Sequence, residues 1–398
     1  MRGRLVRQIW MHDPTLYSPP KYRRACDYDA FVPDPLADAG FAVDARLAGL
    51  LAEAERAVHE LNAFARPALA PLARLLLRTE SIASSKVEGM HMGPRDLARA
   101  EARAERGGKA GTTALEILAN IDAMELAIHD AAQAESFATK GILAIHRILM
   151  EGGANREIAG RIRTSQNWIG GNSYNPCGAD FVPPPPEYVP GLLGDLCAAV
   201  NDDSLSPLMA AALVHAQFET IHPFDDGNGR TGRALIHVVL RRRGAAPAYV
   251  PPISVVLAVQ REQYIAGLTR YREGDLDHWL EHFAVATARA AQLAAAYVTA
   301  VEKLMDEWRD RLSAGADPRA DAAAWSVIDV LPAHPVITAP IAQAATGRAK
   351  SAVHQALSEL EAAGVLEPLS EGKRNRSWEA SGLLDLLSAL ERGDLPTG

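Results

Sequence analysis

A mainly helical protein is what this sequence predicts, and three observations carry the prediction. Ala, Leu, Arg and Glu are abundant while β-branched runs are few, and those residues lose least on entering a helix. Apolar residues recur at helical spacing through most of the chain, as in Leu47, Leu50, Leu51, Ala54, Val58 and Leu61. The period changes only between Ile158 and Val189 and again after Gly364. At 398 residues one compact core is not expected, and two or three domains are.

Residues 1 to 45 contain Pro14, Pro19, Pro20, Pro33 and Pro35, which break any helix. An extended arm on the body is expected, with Trp10, Tyr17, Tyr22, Tyr28 and Phe31 as packing anchors. A helix follows from about Asp44 to Phe64, and another runs from near Pro67 or Pro71 to Gly89, a residue suited to a position just past a helix end. Glu88 lies in that last turn, where the helix dipole disfavours a carboxylate, so it wants a cation. Pro94 to Gly111 is charged and reads as an exposed helical turn running into a loop, and no chemistry is assigned to it. Thr112–Asp130 and Ile142–Leu149 are helical, with His129 and His146 read as ordinary helix residues. Arg161–Ile169 alternates, Gly170–Ser173 is a turn and Phe181–Pro186 is an extended return, which together predict a hairpin. The prolines from Pro183 to Pro186 are read as a stiff connector.

Two helical faces then flank one stretch. Leu208, Ala211, Ala212, His215 and Phe218 precede it; Leu235, Ile236, Val239 and Leu240 follow it, until Gly244 ends the pattern. Between them lies Ile221-His-Pro-Phe-Asp-Asp-Gly-Asn-Gly-Arg-Thr-Gly-Arg233. Gly227 and Gly229 bracket Asn228, which lets the backbone turn and leaves N–H groups at the start of a helix, a natural anion site. Arg230 and Arg233 share a helix face there and can hold phosphate oxygens. Two cations at a helix start oppose the dipole, which again calls for an anion. Asp226 offers a hard oxygen for Mg²⁺, and His222 suits proton transfer near neutrality. These parts describe a phosphoryl or nucleotidyl transfer site. No Lys-Ser/Thr pair follows the glycines, so the stretch is not a P-loop.

His222-Pro-Phe-Asp-Asp-Gly-Asn-Gly-Arg-Thr-Gly-Arg233 resembles the signature of the Fic family, His-x-Phe-x-(Asp/Glu)-Gly-Asn-Gly-Arg-x-x-Arg, at every specified position. The resemblance implies a Fic-type helical bundle with a β-hairpin flap. It also implies a protein adenylyltransferase, or AMPylator, which moves AMP from ATP to a Ser, Thr or Tyr hydroxyl of a protein, self-modification included. His222 would take the hydroxyl proton and Asp226 would hold Mg²⁺. Gly227, Asn228 and Gly229 would line the α- and β-phosphate cradle, with Arg230 on the phosphates and Arg233 on the γ-phosphate. Ser84-Ser-Lys-Val-Glu88-Gly89 is similar to the family's inhibitory motif, (Ser/Thr)-x-x-x-Glu-(Gly/Asn). That similarity implies that Glu88 pairs with Arg233, helped by Ser84 one turn back, and holds ATP in an unproductive pose. Trp168, Ile169 and Gly170 would form the flap edge that grips the target, and Tyr264 would stack on adenine. Arg272 stands where some members have Asn, and members that transfer UMP share most of the motif, which leaves the base open. The alternatives are AMP removal at the same site, with Glu88 orienting a water, and a DNA-binding regulator that senses nucleotide.

A long Ala-rich helix from Leu276 to Ser313 leads to a boundary at Ala314–Pro318. Beyond it come a helix to Leu331, a short one across Ile341–Ala345, a longer one from Lys350 to Ala363, and a hairpin over Val365–Trp378 with a basic tip. That order resembles a winged helix-turn-helix domain. Arg348, Lys350, His354, Lys373, Arg374 and Arg376 are its candidates to meet phosphates. The chain as a whole carries a formal charge of −8, so DNA contact is allowed but not favoured, and such domains also serve as docking or homodimer modules. The division expected is 1–110 for the arm and inhibitory-helix region, 111–290 for the catalytic core, 291–316 for a helical linker and 317–398 for the winged-helix-like domain. Cys26, Cys177 and Cys197 are odd in number and show no paired spacing. Neither a disulfide nor a zinc cluster is expected, and reduced thiols are the default. No apolar leader follows the basic start and no apolar run looks long enough to span a bilayer, so the expectation is a cytoplasmic protein without a membrane partner.

Overall fold

The N-terminal prolines do exclude helix, but what they leave is a hairpin rather than a single extended arm. In the computed structural model β1 (Gly3–Trp10) pairs antiparallel with β2 (Cys26–Pro33), with Gly3 opposite Pro33 and Trp10 opposite Cys26. Pro14, Pro19 and Pro20 fall in the connection and Pro33 at a strand end, where no ladder N–H is lost. The structure describes all residues except 1, 2, 16, 38, 64–69, 105, 106, 316, 317, 370–375 and 396–398. Phe64, Pro67, part of the boundary at 314–318, and the basic-tip residues Lys373 and Arg374 therefore lie outside the described residues.

The helices follow the apolar periodicity. They begin with α1 (Ala45–Ala63), α2 (Ala70–Val87), α3 (Pro94–Ala104), α4 (Thr112–Leu126) and α5 (Thr139–Glu151). Next come α6 (Val189–Asn201), α7 (Pro207–Ile221), α8 (Asn228–Arg242), α9 (Ile253–Val259), α10 (Arg261–Glu273) and α11 (Leu276–Gly315). The C-terminal order is α12 (Ala323–Val330), β3 (Val336–Thr338), α13 (Ala339–Thr346), α14 (Lys350–Ala362), β4 (Leu366–Pro368), β5 (Ser377–Ala380) and α15 (Leu383–Glu391). Where a single exposed helical turn was expected, α3 is a full helix, because Leu97, Ala98 and Ala102 bury one face beneath its charges. Within α11 one 18-residue window is apolar enough to cross a membrane, against the sequence expectation. Of that window 56% is buried inside the protein, as in the core helix of a folded domain.

The chain divides into two compact units. The first comprises 1–52, 123–245 and 261–285; the second comprises 53–122, 246–260 and 286–398. In the first, α7 is buried at every residue from Leu208 to Ile221, as a helix apolar all round must be. Ser206 caps its start, and Trp279 donates its indole N–H to the Ala212 carbonyl (2.9 Å). A Cβ at Gly232 would come within 2.5 Å of Glu219 Oε1 and 2.9 Å of Phe218, so α8 approaches α7 this closely only through a glycine. In the second unit Ser254, at the start of α9, donates its N–H and hydroxyl to the buried Glu80 of α2. There α12, α13 and α14 accompany a three-stranded antiparallel sheet ordered β3-β5-β4.

Two further expectations are corrected in the first unit. Cys26 and Cys177 form a disulfide; 151 residues separate them, so no local spacing could reveal the pair. Cys197 is free and buried. The flap is not a β-hairpin: its two limbs meet at one bridge, Ile169 with Phe181. Pro183 to Pro186 lack the N–H groups that a longer ladder needs.

Candidate active site

The site is built from the joint between α7 and α8. His222 ends α7 in the left-handed conformation (φ 49°, ψ 60°), its N–H donating to the Phe218 carbonyl (2.9 Å). Among the described residues it is the only non-glycine with positive φ, a conformation that costs about 1 kcal/mol. Pro223 follows and disfavours a further helical turn. Asn228 then closes the loop on itself: its side-chain amide donates to the Phe224 carbonyl (2.8 Å) and its Oδ1 accepts the Phe224 N–H (2.9 Å). With its side chain so engaged, Asn228 offers an anion its backbone N–H. Gly227 caps α8 at φ 77°, and a Cβ there would meet Met150 at 2.9 Å and Leu149 at 3.2 Å. The first amide to bond back is that of Thr231, to the Gly227 carbonyl (3.1 Å). The amides of Asn228, Gly229 and Arg230 precede it, as in any helix start.

Three residues outside the motif brace this loop. His146 of α5 is fully buried and stacks flat on Phe224 at 3.7 Å. Its Nδ1 accepts the Gly160 N–H (3.0 Å), so Nε2 carries the proton and donates to the Asp226 carbonyl (3.0 Å). Burial pushes its pKa down to about 4, which keeps the ring neutral. Reading His146 as an ordinary helix residue is thereby corrected. Arg163 donates to the His222 carbonyl (2.9 Å), and Asn167 donates to the carbonyls of His222 (3.2 Å) and Phe224 (2.9 Å). Burial lowers the Arg163 pKa to about 10, opposed by the charges of Asp225 and Glu187.

Arg230 and Arg233 are 6% and 1% exposed. Two buried guanidinium groups at a positive helix end make a site of strong anion preference. Asp226 is exposed, as its place at the mouth of the loop requires. Its carboxylate accepts the Gly227 N–H (2.6 Å) and the Asn155 side-chain amide (3.1 Å), with Arg230 at 3.9 Å. Each carboxylate oxygen has a further lone pair. Asp226 thus fits Mg²⁺ that binds through one carboxylate and substrate phosphates. Among the described residues no group of three or more His, Cys, Asp or Glu side chains forms a protein-only metal cage.

The flap edge adjoins this loop through Asn167. A cleft of about 570 Å³ runs along Asn167, Trp168, Gly170, Gly171 and Asn172. Behind it stands the N-terminal hairpin, which the sequence did not connect to the site. Trp10 meets Trp168 edge-on at 5.7 Å, Tyr22 stacks on Tyr174 at 5.1 Å and Phe31 packs on Phe181 at 6.3 Å. The Phe31 N–H donates to the Val182 carbonyl (2.9 Å), and the disulfide joins β2 to the same flap. These aromatics are anchors as expected, apart from Tyr17, which is 81% exposed. From α10, Arg272 lies over the Phe181 ring at 3.9 Å, and burial lowers its pKa to about 10. Tyr264 is placed differently from an open stacking platform. It is 4% exposed, its hydroxyl 2.9 Å from His215 Nε2 and its ring 6.3 Å from Trp279. Burial first, and the Arg233 charge second, push the His215 pKa down to about 3. Ser84 is buried within α2, while Glu88 is exposed just beyond its end; Gly89 follows at φ 82°.

Residues 136–240 match the Fic/DOC family and residues 48–129 match the Fic/DOC family N-terminal region. The chain therefore carries a Fic/DOC domain and its N-terminal region. Its relatives include protein adenylyltransferase fic-1 of Caenorhabditis elegans, 36% identical over 146 residues, or 36% of this chain and 26% of the relative. Protein adenylyltransferase Fic of Nematostella vectensis is 32% identical over 160 residues, covering 39% of this chain and 34% of the relative. The chain thus spans about a quarter to a third of these relatives' length. Among solved structures, a Fic family protein from Desulfovibrio desulfuricans shares the fold with a TM-score of 0.54 at 21% identity, covering 86% of this chain and 98% of that one. Residues 134–508 of C. elegans Fic-1 give a TM-score of 0.51 at 25% identity, covering 64% and 74%. The Fic signature thus lies on a Fic fold, with His222 through Arg233 in one continuous loop and helix start.

Proposed function

We propose that this Fic protein is a protein adenylyltransferase that moves AMP from ATP to a hydroxyl of a protein. The observation that carries the reading is the joint itself: His222 turned out of α7 directly before a helix start that holds Arg230 and Arg233 in buried positions. Relatives of this chain are named protein adenylyltransferases. A target hydroxyl oxygen bonds to the α-phosphorus of ATP, its proton passes to His222, and the bond to the diphosphate breaks. Amides at the start of α8 and the two arginines take up charge on the phosphates. Asp226 would hold Mg²⁺, which supplies further charge neutralisation when bound.

Within the same proposal, Glu88 restrains the reaction by pairing with Arg233, since a guanidinium held by a carboxylate is not available to a γ-phosphate. The flap edge at Trp168, Ile169 and Gly170 takes the target segment along the cleft. The segment from α12 to β5 is a winged-helix-like domain, a reading supported by its element order and its β3-β5-β4 sheet.

The test is incorporation of label from α- and γ-labelled Mg-ATP into the chain itself and into a pool of Ser, Thr and Tyr peptides. Label from the α-phosphate alone is expected, raised in Glu88→Gly and lowered by about 10²- to 10⁴-fold in His222→Ala. Label from the γ-phosphate, or full activity in His222→Ala, would refute the assignment. Equal labelling by the parent and Glu88→Gly would remove the restraint.

A further inference from the structure

Arg163 is a cation 2% exposed whose side chain, among the described residues, hydrogen-bonds to carbonyls alone. Its Nε donates to the His222 carbonyl (2.9 Å), Nη1 to that of Ser165 (3.0 Å), and Nη2 to those of Pro184 (2.5 Å) and Ile221 (3.4 Å). Its own N–H donates to the Pro223 carbonyl (3.0 Å). We infer that Arg163 is the positioning residue that sets the direction of the His222 imidazole relative to the flap. The inference rests on His222 being the base of the proposed transfer.

A buried guanidinium that hydrogen-bonds to no carboxylate is costly, so its site must offer several well-placed acceptors, and the charges of Asp225 and Glu187 offset only part of that cost. Here they come from two strips of backbone. Ile221 and His222 end α7, where carbonyls carry the negative end of the dipole and a cation is favoured. Ser165 and Pro184 belong to the two limbs of the flap. The planar fork of arginine spans both strips at once, which an ammonium group cannot do. The His222 carbonyl has a second donor, Asn167 (3.2 Å). A left-handed residue holds its side-chain direction only while its φ and ψ are held, and these donors hold the peptide that follows His222. Among the described residues Arg163 makes no hydrogen bond to α8, so the phosphate cradle does not depend on it.

In the full chain, Arg163→Met is expected to lower kcat for transfer of α-label to the peptide pool by about 100-fold, with the KM for ATP within about threefold. Arg163→Lys, which keeps the charge but not the fork, should recover part of that loss. Amide exchange at His222 and Phe224 should quicken in Arg163→Met while the centre of α7 stays protected. Unchanged kcat, or kcat and KM lost together with α7 protection, would overturn the inference. Should Arg163→Met fail to fold, Asn167→Ala decides. It removes the other donor, and a kcat lower by about tenfold is expected, whereas an unchanged kcat overturns the inference. Absence of transfer by both the parent and Glu88→Gly would count against the proposed function, and exchange would then decide alone. Faster exchange at His222 and Phe224 in Arg163→Met and Asn167→Ala would uphold the clamp, and unchanged exchange would sink it.

Discussion

The catalytic loop and the flap lie side by side in one unit, yet they are held in opposite ways. The loop from Ile221 to Asn228 is closed largely by itself, through the paired Asn228–Phe224 bonds and the Gly227 cap. The flap has one bridge of its own. Its path is set by residues far away in sequence: Cys26, Trp10, Tyr22, Phe31 and, from the other direction, Arg272. A loop that closes locally needs little from outside itself beyond the hydrogen bonds of His146, Arg163 and Asn167 that brace it. A flap tied to remote elements keeps its shape only while those elements stay docked.

Reduction of the disulfide tests that contrast most strongly. Cys26→Ser should lower stability by about 3 kcal/mol and speed amide exchange in residues 168–182, while His222 and Phe224 keep their protection. Equal loosening of the loop would show that the two regions are one mechanical element. Acid should do the reverse. The folded pKa of His146, about 4, lies below its ordinary 6.5, so its contribution is full above pH 6.5 and is lost as pH falls through about 4. The parent should exceed His146→Gln in stability by on the order of 2 kcal/mol at pH 7, with the gap closing toward pH 4. A gap that does not change with pH would remove His146 as the brace. The smallest effect is expected at the aromatic edge. Trp10→Ala should cost about 1 kcal/mol beyond the lost area and loosen Trp168 alone, as read from tryptophan fluorescence; a shift in the His222 amide would contradict local control of the loop.

These contrasts also explain what could be read before the structure. The motif from His222 to Arg233 was legible because its shape depends on neighbours within a few residues: a glycine that turns, an asparagine that bonds four residues back, arginines three apart on one helix face. Helix positions were legible for the same reason, since burial repeats with the helix period. Elements such as α9, with seven residues, and α3, whose apolar face is thin beneath its charges, escaped. His146 escaped as well, because nothing in its own helix reveals that Asp226, 80 residues on, supplies its partner.

By itself, then, the sequence determined the helical class, the joint between α7 and α8, and the chemistry of the groups gathered there. Only the tertiary structure decided that the N-terminal arm is a hairpin, that Cys26 bonds Cys177, that the flap has a single bridge, and that Arg163 and His146 serve the loop. The physical reason is range. Periodicity and turn chemistry act between residues a few positions apart and leave their mark in the order of the chain. Ring stacking, a disulfide and a buried guanidinium act between residues that meet only after the chain has folded, and their spacing in the sequence carries no trace of the meeting.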